Sequence, residues 1–336
     1  MFKFDFDVED DSVDQMQGGS QEVSSSAPDD RPFKEHSLEE LIQTLPDDIS
    51  YSSVQVGTHN IPRRDLFDVR LQLMASEAQN DNPTDKDKED QAAIEFASRP
   101  SDLVPRVYEG GMKTWECSLD LAGYVSDEGV RGKRILELGC GTAIPSLAIL
   151  QKLLNEDPPI FHLQDYNSSV LEFVTLPNVI LSVPEEDEEE AEIPEQPPVT
   201  HDPHAFNITE PGDLSFTPAL RSAFLDSLAA HHIELRFFSG PWDGFNPATP
   251  YDLVLTSETI YQPTSVPSLV RLLRDASGSS GKCLVAAKMV YFGVGGGIRE
   301  FEQVLEKGGG SAKCIWEQRE GVGRSIMQVT YEFRNN

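Results

Sequence analysis

The sequence predicts an α/β domain with a mostly parallel sheet and helices on both faces, preceded by a partly disordered extension. From about residue 102, short apolar runs alternate with longer helical stretches. Strands separated by helices need right-handed crossovers, which place helices on both faces of a parallel sheet. The last two apolar runs are joined only by the short segment EQREGVGRS (317–325). A parallel crossover needs a dozen or more residues, so we expect this pair to be antiparallel.

Each predicted element follows from its own pattern. Short apolar runs bounded by polar or glycine residues are typical of buried strands, and they predict strands at 134–138, 160–164, 233–238, 251–257, 282–288, 312–316 and 326–333. Apolar residues at helical spacing predict helices around 113–125, 145–154, 218–231, 265–275 and 298–307. Together these elements indicate a Rossmann-like sheet of seven strands with one antiparallel strand near its end.

Residues 1–95 are predicted to form an acidic accessory region that is disordered in part. The first 50 residues hold 14 acids and 3 bases, a composition that opposes folding. Short ordered pieces interrupt it. Ser37 and Glu40 form a capping-box pattern for a helix that ends before Pro46, and SYSSVQV alternates as a strand does. The stretch 65–75 fits a helix or a strand.

The main domain is predicted at 96–336, with an acidic and proline-rich insertion at about 184–213. Between Glu185 and Glu195 the insertion holds eight acids and no base. A charge run of this kind is usually a solvated loop. The alternative is that it attracts a basic partner by long-range steering.

Composition excludes several classes of protein. The 27 Lys and Arg against 57 Asp and Glu give a formal net charge of −30, which repels phosphate backbones, so we expect no direct nucleic-acid binding. No apolar run approaches the ~20 residues of a membrane span, and the acidic start does not resemble a signal peptide. The four cysteines form no CxxC, which disfavours a metal site or a disulfide scaffold. We expect a monomer in the reducing environment of the cytoplasm and nucleus.

The strongest local motif is ILELGCGTAIP, an apolar strand that runs into a Gly-x-Gly turn. Glu137 lies on the strand, and Gly139, Cys140 and Gly141 form the turn, where a ligand can approach the backbone beside a helix N-terminus. Ile144 replaces the third glycine of dinucleotide motifs, which favours a nucleoside or sulfonium ligand over a pyrophosphate. The alternative is an ordinary strand-to-helix connector.

A second motif, FHLQDYN, ends the next predicted strand at Asp165, 24 residues after Gly141. In nucleoside-binding sheets an acid at this place accepts hydrogen bonds from the ribose hydroxyls. The alternative is that Asp165 or Asn167 only caps the following helix.

Five motifs together resemble the protein-histidine N-methyltransferases, in a fungal form. They are EGGMKTWECSLDL at Glu109, DYN and VTLPNV within 165–179, SGPW at Ser239, SETIYQP at Ser257 and AAKMVYFGVGGG at Ala286. The resemblance covers about 101–336. It implies a Rossmann-like methyltransferase that uses S-adenosylmethionine to methylate one histidine of a large-subunit ribosomal protein, on the Nτ atom.

The resemblance also implies which residues contact the methyl donor. The set is Trp115, Glu116, Cys117, Gly139, Asp165, Tyr166, Asn167, Gly240, Trp242 and Ser257. Trp242 offers an aromatic face for adenine, and Trp115 with Glu116 suits the positively charged methionine end. Core packing is the alternative role for both tryptophans.

Glu258 and Tyr261 form an E-x-x-Y pattern at the end of the fourth predicted strand, where this fold places its acceptor and where we expect the catalytic residues. Related lysine methyltransferases carry D-x-x-Y, so the motif leaves both acceptors open. A lysine must first lose a proton, at a cost of about 4.6 kcal/mol at pH 7, whereas histidine is mostly neutral there. Glu258 can accept the second ring N–H of a histidine and stabilise the imidazolium product. Alternatively, it only caps the next turn.

Two other functions stay open at this point. One is a protein-lysine methyltransferase of the same superfamily, and the other is a ribosome-assembly module that binds S-adenosylmethionine without turnover. An RNA methyltransferase is disfavoured by the charge and by the absence of an N/D-PP-Y/F motif.

Overall fold

The computed structural model describes residues 31–77, 110–126, 132–151, 159–183, 210–291 and 295–332. The predictions for the N-terminal tail, for the linker after residue 77 and for the acidic run 185–195 concern residues outside these ranges.

The described strands form two sheets. In chain order they are β1 (Lys34–His36), β2 (Asp48–Val56), β3 (His59–Arg64), β4 (Arg134–Leu138), β5 (Ile160–Asp165), β6 (Gly212–Ser215), β7 (Glu234–Ser239), β8 (Leu253–Ser257), β9 (Lys282–Lys288), β10 (Gly310–Gln318) and β11 (Arg324–Tyr331). The large sheet has the order β1-β7-β5-β4-β8-β9-β11-β10, and the small sheet has the order β3-β2-β6.

The large sheet confirms the predicted fold class. Strands β7, β5, β4, β8 and β9 are parallel neighbours, and β11 lies antiparallel between β9 and β10. The sheet also has an eighth strand that the sequence does not predict. This strand, β1, pairs antiparallel with β7 at the other edge. Its three residues are too few to show an alternating pattern.

The helices are α1 (Leu38–Gln43), α2 (Leu66–Glu77), α3 (Glu116–Val125), α4 (Ile144–Leu150), α5 (Ser168–Val170), α6 (Leu176–Ser182), α7 (Pro218–Ala230), α8 (Val266–Ser277) and α9 (Ile298–Lys307). A π-helical turn, Leu171–Thr175, joins α5 to α6, and a 3-10 turn, Trp242–Gly244, follows β7. All five predicted helices are confirmed.

One long helical segment, from α5 to α6, is absent from the sequence-based prediction. From residue 169 to residue 183 every side chain is buried, so the segment has no polar face and therefore no helical periodicity to detect. Pro177 also lies within it, at the start of α6. The stretch 65–75, which fits a helix or a strand by sequence, is helical as α2.

Described parts of the accessory region share the core of the main domain. The Ser37 hydroxyl accepts a hydrogen bond from the Glu40 N–H at 3.1 Å and caps α1, as predicted. Leu41 on α1 and Ile49 on β2 belong to the same apolar cluster as Ile135 on β4. Strand β2 also pairs with β6, which lies at the end of the predicted insertion.

The large sheet carries a core on each face. Ile135 on β4 packs in the cluster that includes Leu41, while the next residue, Leu136, packs in a second cluster with Leu273 and Phe301. This alternation is the strand period of two. Among the residues described, no helix is both long enough and apolar enough to cross a membrane.

We predict that Leu41→Ala lowers the free energy of unfolding by about 2–5 kcal/mol, the usual cost of removing a buried leucine side chain. Leu41 is 2% exposed. Denaturant unfolding of the full chain measures this. The control is Gln43→Ala in the same helix, whose side chain is exposed and whose removal should change stability by less than about 0.5 kcal/mol. Equal, small effects would show that α1 is not part of the core.

Candidate active site

The predicted site residues meet where the parallel strands end. Gly139 follows β4, Asp165 ends β5, Gly240 follows β7 and Glu258 follows β8. The four strands are neighbours in the large sheet, so their carboxyl ends lie along one edge. Ligands of open α/β sheets bind outside this edge.

The Gly-x-Gly turn needs glycine at both positions. Gly139 has φ +61 and Gly141 has φ +51, in the left-handed region that other residues rarely adopt. A Cβ on Gly139 would lie 2.6 Å from the Thr259 Cγ2, and one on Gly141 would lie 2.9 Å from the Gly111 carbonyl oxygen. The sequence analysis expects a ligand to approach the backbone at these glycines. In the structure, protein atoms of Thr259 and Gly111 occupy that space.

Gln164, which is fully buried, joins this turn to the loop after β7. Its Oε1 accepts hydrogen bonds from the Gly139 N–H at 3.3 Å and from the Trp242 indole N–H at 2.9 Å. Its Nε2 donates to the Gly240 carbonyl at 2.9 Å, and its own carbonyl accepts from the Cys140 N–H at 2.9 Å. One side chain thus sets the positions of two predicted ligand-contacting segments.

Asp165 and Asn167 hold the backbone of the site at Gly141 and at Gly110. Asp165 accepts from the Gly141 N–H at 2.9 Å and from the Asn167 N–H at 3.1 Å. The Asn167 amide donates to the Gly110 carbonyl at 2.9 Å, and it does not cap α5. Its Oδ1 is buried and has no hydrogen-bond partner among the described residues. A buried acceptor of this kind is available to a donor group of a ligand.

The π-helical turn supports the far side of the glycine turn. The Thr175 hydroxyl donates to the Gly141 carbonyl at 2.7 Å. The Asn178 amide donates to the Thr142 carbonyl at 3.0 Å, and its Oδ1 accepts from the Arg64 N–H at 2.7 Å. Arg64 is the last residue of β3, so the accessory region reaches the turn through a single asparagine.

Glu137 lies below the turn and is almost fully buried. Its Oε2 accepts hydrogen bonds from the Ser146 N–H, at 3.0 Å, and from the Ser146 hydroxyl. Its Oε1 has no partner among the described residues. Burial outweighs the hydrogen bonds from Ser146 and, with the nearby Asp165 charge, raises the pKa of Glu137 to about 8.

A cleft of about 330 Å³ opens beside β5 and β7. Tyr166 and Gly240 line it from the sheet edge, and Arg31 and His36 line it from the N-terminal segment. The Arg31 guanidinium lies 4.8 Å over the Tyr166 ring, and the His36 Nε2 is 2.7 Å from the Ser239 hydroxyl. The segment before α1 therefore forms one wall of the cleft.

A second group of residues lies at the ends of β8 and β9, and we call it the Lys288 cluster: Trp115, Glu116, Glu258, Lys288 and Tyr291. The Lys288 Nζ is 3.2 Å from the Glu116 Oε2, 3.6 Å from the Glu258 Oε1 and 4.8 Å from the centre of the Trp115 ring. Partial burial disfavours the ammonium, but the charges of Glu258 and Glu116 outweigh it and raise the pKa of Lys288.

The Glu258 carboxylate has two further partners. The Cys117 N–H donates to its Oε1 at 3.4 Å, and the Tyr291 hydroxyl lies near enough for the Glu258 charge to act on it. Burial and the Glu258 charge raise the pKa of Tyr291 well above its usual value, so this hydroxyl keeps its proton. Burial, with Glu258 again adding to it, likewise raises the pKa of the Cys117 thiol.

Glu258 has a left-handed backbone, with φ +58, although it is not a glycine. Such a conformation costs about 1–3 kcal/mol and persists only where surrounding contacts enforce it. Its N–H donates to the Ala286 carbonyl at 2.9 Å, which holds the strained residue at the end of the sheet. Tyr261 packs edge-on against the Tyr291 ring, with ring centres 6.3 Å apart. Ser257 ends β8 in register with Ala286.

The chain is similar to curated proteins along most of its length. It is 33% identical over 356 residues to "Histidine protein methyltransferase 1" of Schizosaccharomyces pombe, with 99% of this chain and 94% of the relative covered. The chain belongs to the histidine protein methyltransferase family. The Saccharomyces cerevisiae member is 34% identical over 276 residues, covering 73% of this chain and 68% of the relative.

The similarity extends beyond yeasts. The "Histidine protein methyltransferase 1 homolog" of Bos taurus is 34% identical over 252 residues, covering 70% of this chain. The matched region spans 59% of that relative's length. No protein-family model matches the chain.

Solved structures resemble this histidine protein methyltransferase family member only distantly. A TehB-like SAM-dependent methyltransferase from Corynebacterium glutamicum has a TM-score of 0.35 at 12% identity, covering 63% of this chain and 87% of that one. A ribosomal protein L11 methylase from Lactobacillus delbrueckii subsp. bulgaricus has a TM-score of 0.38 at 11% identity, covering 70% and 92%. These likenesses are too weak to support a functional assignment.

The sequence motifs converge on one edge of the sheet in this family member, and four supporting residues at that edge are absent from the sequence-based prediction. These are Gln164, Thr175, Asn178 and Lys288. Two of them had a detectable signal, because Gln164 and Lys288 are polar residues at the carboxyl ends of predicted apolar strands. The other two lie in the helical segment that shows no periodicity, and their roles depend on contacts distant in sequence.

We predict that Glu137→Gln makes stability less dependent on pH. The unfolded chain releases this proton near pH 4.5 and the folded chain near pH 8, so the wild type loses stability as the pH rises through that interval. The variant has no proton to lose. Urea unfolding should therefore show the variant gaining stability over the wild type at about pH 8 relative to about pH 5.

The control for this prediction is Glu234→Gln, whose side chain is 51% exposed. It should shift stability equally at both pH values. A Glu137→Gln variant that behaves like this control would show that Glu137 ionises normally in the folded protein.

Proposed function

We propose that this protein transfers a methyl group from S-adenosylmethionine to the Nτ atom of a histidine in a large-subunit ribosomal protein. The observation that carries the proposal is the Glu258 carboxylate, 9% exposed, which a left-handed backbone holds at the sheet edge of a histidine protein methyltransferase family member. Strain of this kind concentrates at functional sites.

The residues at the sheet edge fit the methyl donor. The Asn167 Oδ1 is a buried acceptor without a partner among the described residues, and the donor carries ribose hydroxyls and an ammonium group that can satisfy such an acceptor. Trp242 and Tyr166 add aromatic faces beside the Gly240 loop. We assign donor binding to the glycine turn, the Asp165–Asn167 segment, the Gly240–Trp242 loop, and Trp115, Glu116, Cys117 and Ser257 on the other side.

The protein's main task in this reaction is to orient the acceptor histidine toward the methyl group. S-adenosylmethionine supplies a methyl group on a positive sulfur, and the acceptor nitrogen forms the new N–C bond with its lone pair while the C–S pair stays on sulfur. Glu258 accepts a hydrogen bond from the other ring N–H and stabilises the positive charge that develops on the ring. Tyr261 contributes an aromatic wall next to Tyr291.

A basic protein substrate agrees with the charge of the chain. The net charge of −30 favours encounters with lysine-rich and arginine-rich proteins, because opposite charges raise association rates at low ionic strength. Ribosomal proteins are such a class. The same charge opposes binding to bare RNA, so we assign the protein component of the ribosome as the substrate.

The direct test is methylation of ribosomal proteins from cells that lack the enzyme. The purified full chain is incubated with them and with labelled S-adenosylmethionine, and the labelled protein is hydrolysed for amino-acid analysis. We expect the label in τ-methylhistidine on one large-subunit protein. Label in methyl-lysine would favour the lysine alternative. Calorimetric binding of the donor without any transfer would favour the binding module.

We predict that Glu258→Gln reduces turnover roughly 10²-fold, the lower range for loss of one preorganised electrostatic contact. Glutamine keeps an acceptor oxygen but not the negative charge. The affinity for S-adenosylhomocysteine, measured by calorimetry, should change little. Raising the pH should not restore turnover, because the acceptor histidine is already neutral near pH 7.

Glu306→Gln, an exposed glutamate on α9, is the matched control and should keep full turnover. If the Glu258→Gln variant recovers at high pH, Glu258 removes a proton from the acceptor, which is the behaviour expected with lysine. If it keeps full turnover, Glu258 only caps its turn.

A further inference from the structure

Glu258 is not a free carboxylate waiting for a substrate. Its Oε1 lies 3.6 Å from the Lys288 Nζ, in an ion pair, and accepts a hydrogen bond from the Cys117 N–H at 3.4 Å. The Tyr291 hydroxyl lies near the same carboxylate, and burial together with the Glu258 charge raises the pKa of Tyr291. The α3 segment and the segment 288–291 therefore converge on one side chain that is itself only 9% exposed.

The groups that hold Glu258 are themselves fixed. The Lys288 side chain is 17% exposed and also bridges to Glu116 at 3.2 Å. The Lys288 N–H donates to the Tyr291 hydroxyl at 3.2 Å, so the hydroxyl is held against the Lys288 backbone. Lys288 and Tyr291 form a rigid frame because each partner restricts the next one.

An imidazole has two nitrogens, and only the orientation of the ring decides which one is methylated. A carboxylate that accepts the N–H of one nitrogen directs the lone pair of the other nitrogen away from itself. If the carboxylate can rotate, the ring can bind in either orientation. A fixed carboxylate therefore sets the ring orientation, and a mobile one does not.

We propose that Lys288 and Tyr291 are positioning residues that fix the Glu258 carboxylate and thereby determine which nitrogen of the acceptor histidine is methylated. This inference rests on the proposed function of the site. It explains why one imidazole nitrogen is methylated and the other is not, which the E-x-x-Y pattern alone does not explain. Neither residue touches the reacting atoms, since both act through Glu258.

The surrounding charges are consistent with this role. Asp120 lies on α3, one turn after Glu116, and pairs with Arg324 on β11. Arg324 is in register with Lys288, so two neighbouring cations face the same helix and each has its own carboxylate there. Among the described residues, Lys288 alone of these two cations has a second carboxylate within 4 Å, that of Glu258. Arg324 is therefore a matched position for a control variant.

The experiment compares four variants of the full chain: Lys288→Met, Tyr291→Phe, Lys288→Arg and Arg324→Met. Each is incubated with total large-subunit ribosomal protein from cells lacking the enzyme and with labelled S-adenosylmethionine. Amino-acid analysis then separates τ-methylhistidine, π-methylhistidine and methyl-lysine. Thermal unfolding and calorimetric binding of S-adenosylhomocysteine check that each variant is folded.

We expect the wild type and Arg324→Met to label one methylhistidine isomer. Lys288→Met and Tyr291→Phe should label both isomers, with the isomer ratio reduced roughly tenfold or more, the effect expected for losing one charge-assisted contact. Lys288→Arg keeps the positive charge and should restore most of the ratio. Tyr291→Phe keeps the ring, so it tests the inference even if Lys288→Met fails to fold.

Two other results overturn the inference in different ways. If Lys288→Met and Tyr291→Phe lower the rate but keep the wild-type isomer ratio, both residues only support the fold, and the proposed function stands. If the wild type produces no methylhistidine, the proposed function fails and this inference fails with it.

Discussion

The turn at Gly139 and Gly141 has two glycines in the left-handed region. Its backbone N–H and C=O groups lie outside the regular hydrogen bonding of strands and helices and need other partners. The buried carboxamide of Gln164 resolves this problem for one side of the turn, and the Asp165 carboxylate does so for the other. Gln164 also binds Trp242 and Gly240. The same side chain that pairs with the glycine turn therefore fixes the position of the loop after β7. The geometry of the sheet edge thus depends on polar side chains whose loss would leave several buried groups unpaired.

The two halves of the sheet edge are held in place by different kinds of interaction. On the β4 and β5 side, neutral amides and one carboxylate hold the backbone in place, and the Asn167 Oδ1 has no partner among the described residues. On the β8 and β9 side, ion pairs dominate, with Glu116 and Glu258 sharing Lys288. A protein of net charge −30 therefore places one of its 27 lysines and arginines, largely shielded from water, between two carboxylates. The attraction within such a group offsets part of the cost of removing its charges from water.

Sequence patterns predicted the parts of this protein that local periodicity controls. The seven predicted strands and the five predicted helices belong to this class. β1 escapes prediction because three residues carry no period, and the helical segment from α5 to α6 escapes it because its buried residues show no alternation with polar ones. The roles of Gln164 and Asn178 cannot be read from local sequence, since their partners lie far away in the chain. Polar residues at the carboxyl ends of apolar strands are nevertheless a detectable signal.

The link from Arg64 through Asn178 to the Thr142 carbonyl also bears on how the chain folds during synthesis. β1 pairs with β7, whose Ser239 lies 203 residues after His36, and β2 pairs with β6, where Asp48 and Ser215 are 167 residues apart. β1, and the edge of β2 that pairs with β6, therefore leave the ribosome long before their partner strands exist, whereas β3 follows β2 directly and pairs with its other edge. Contacts this distant form late, because loop closure must come first. The glycine turn, which needs Asn178, acquires its full support only after more than half of the polypeptide has been made, and until β7 and β6 follow, β1 and one edge of β2 stay open to chaperones or to mispairing.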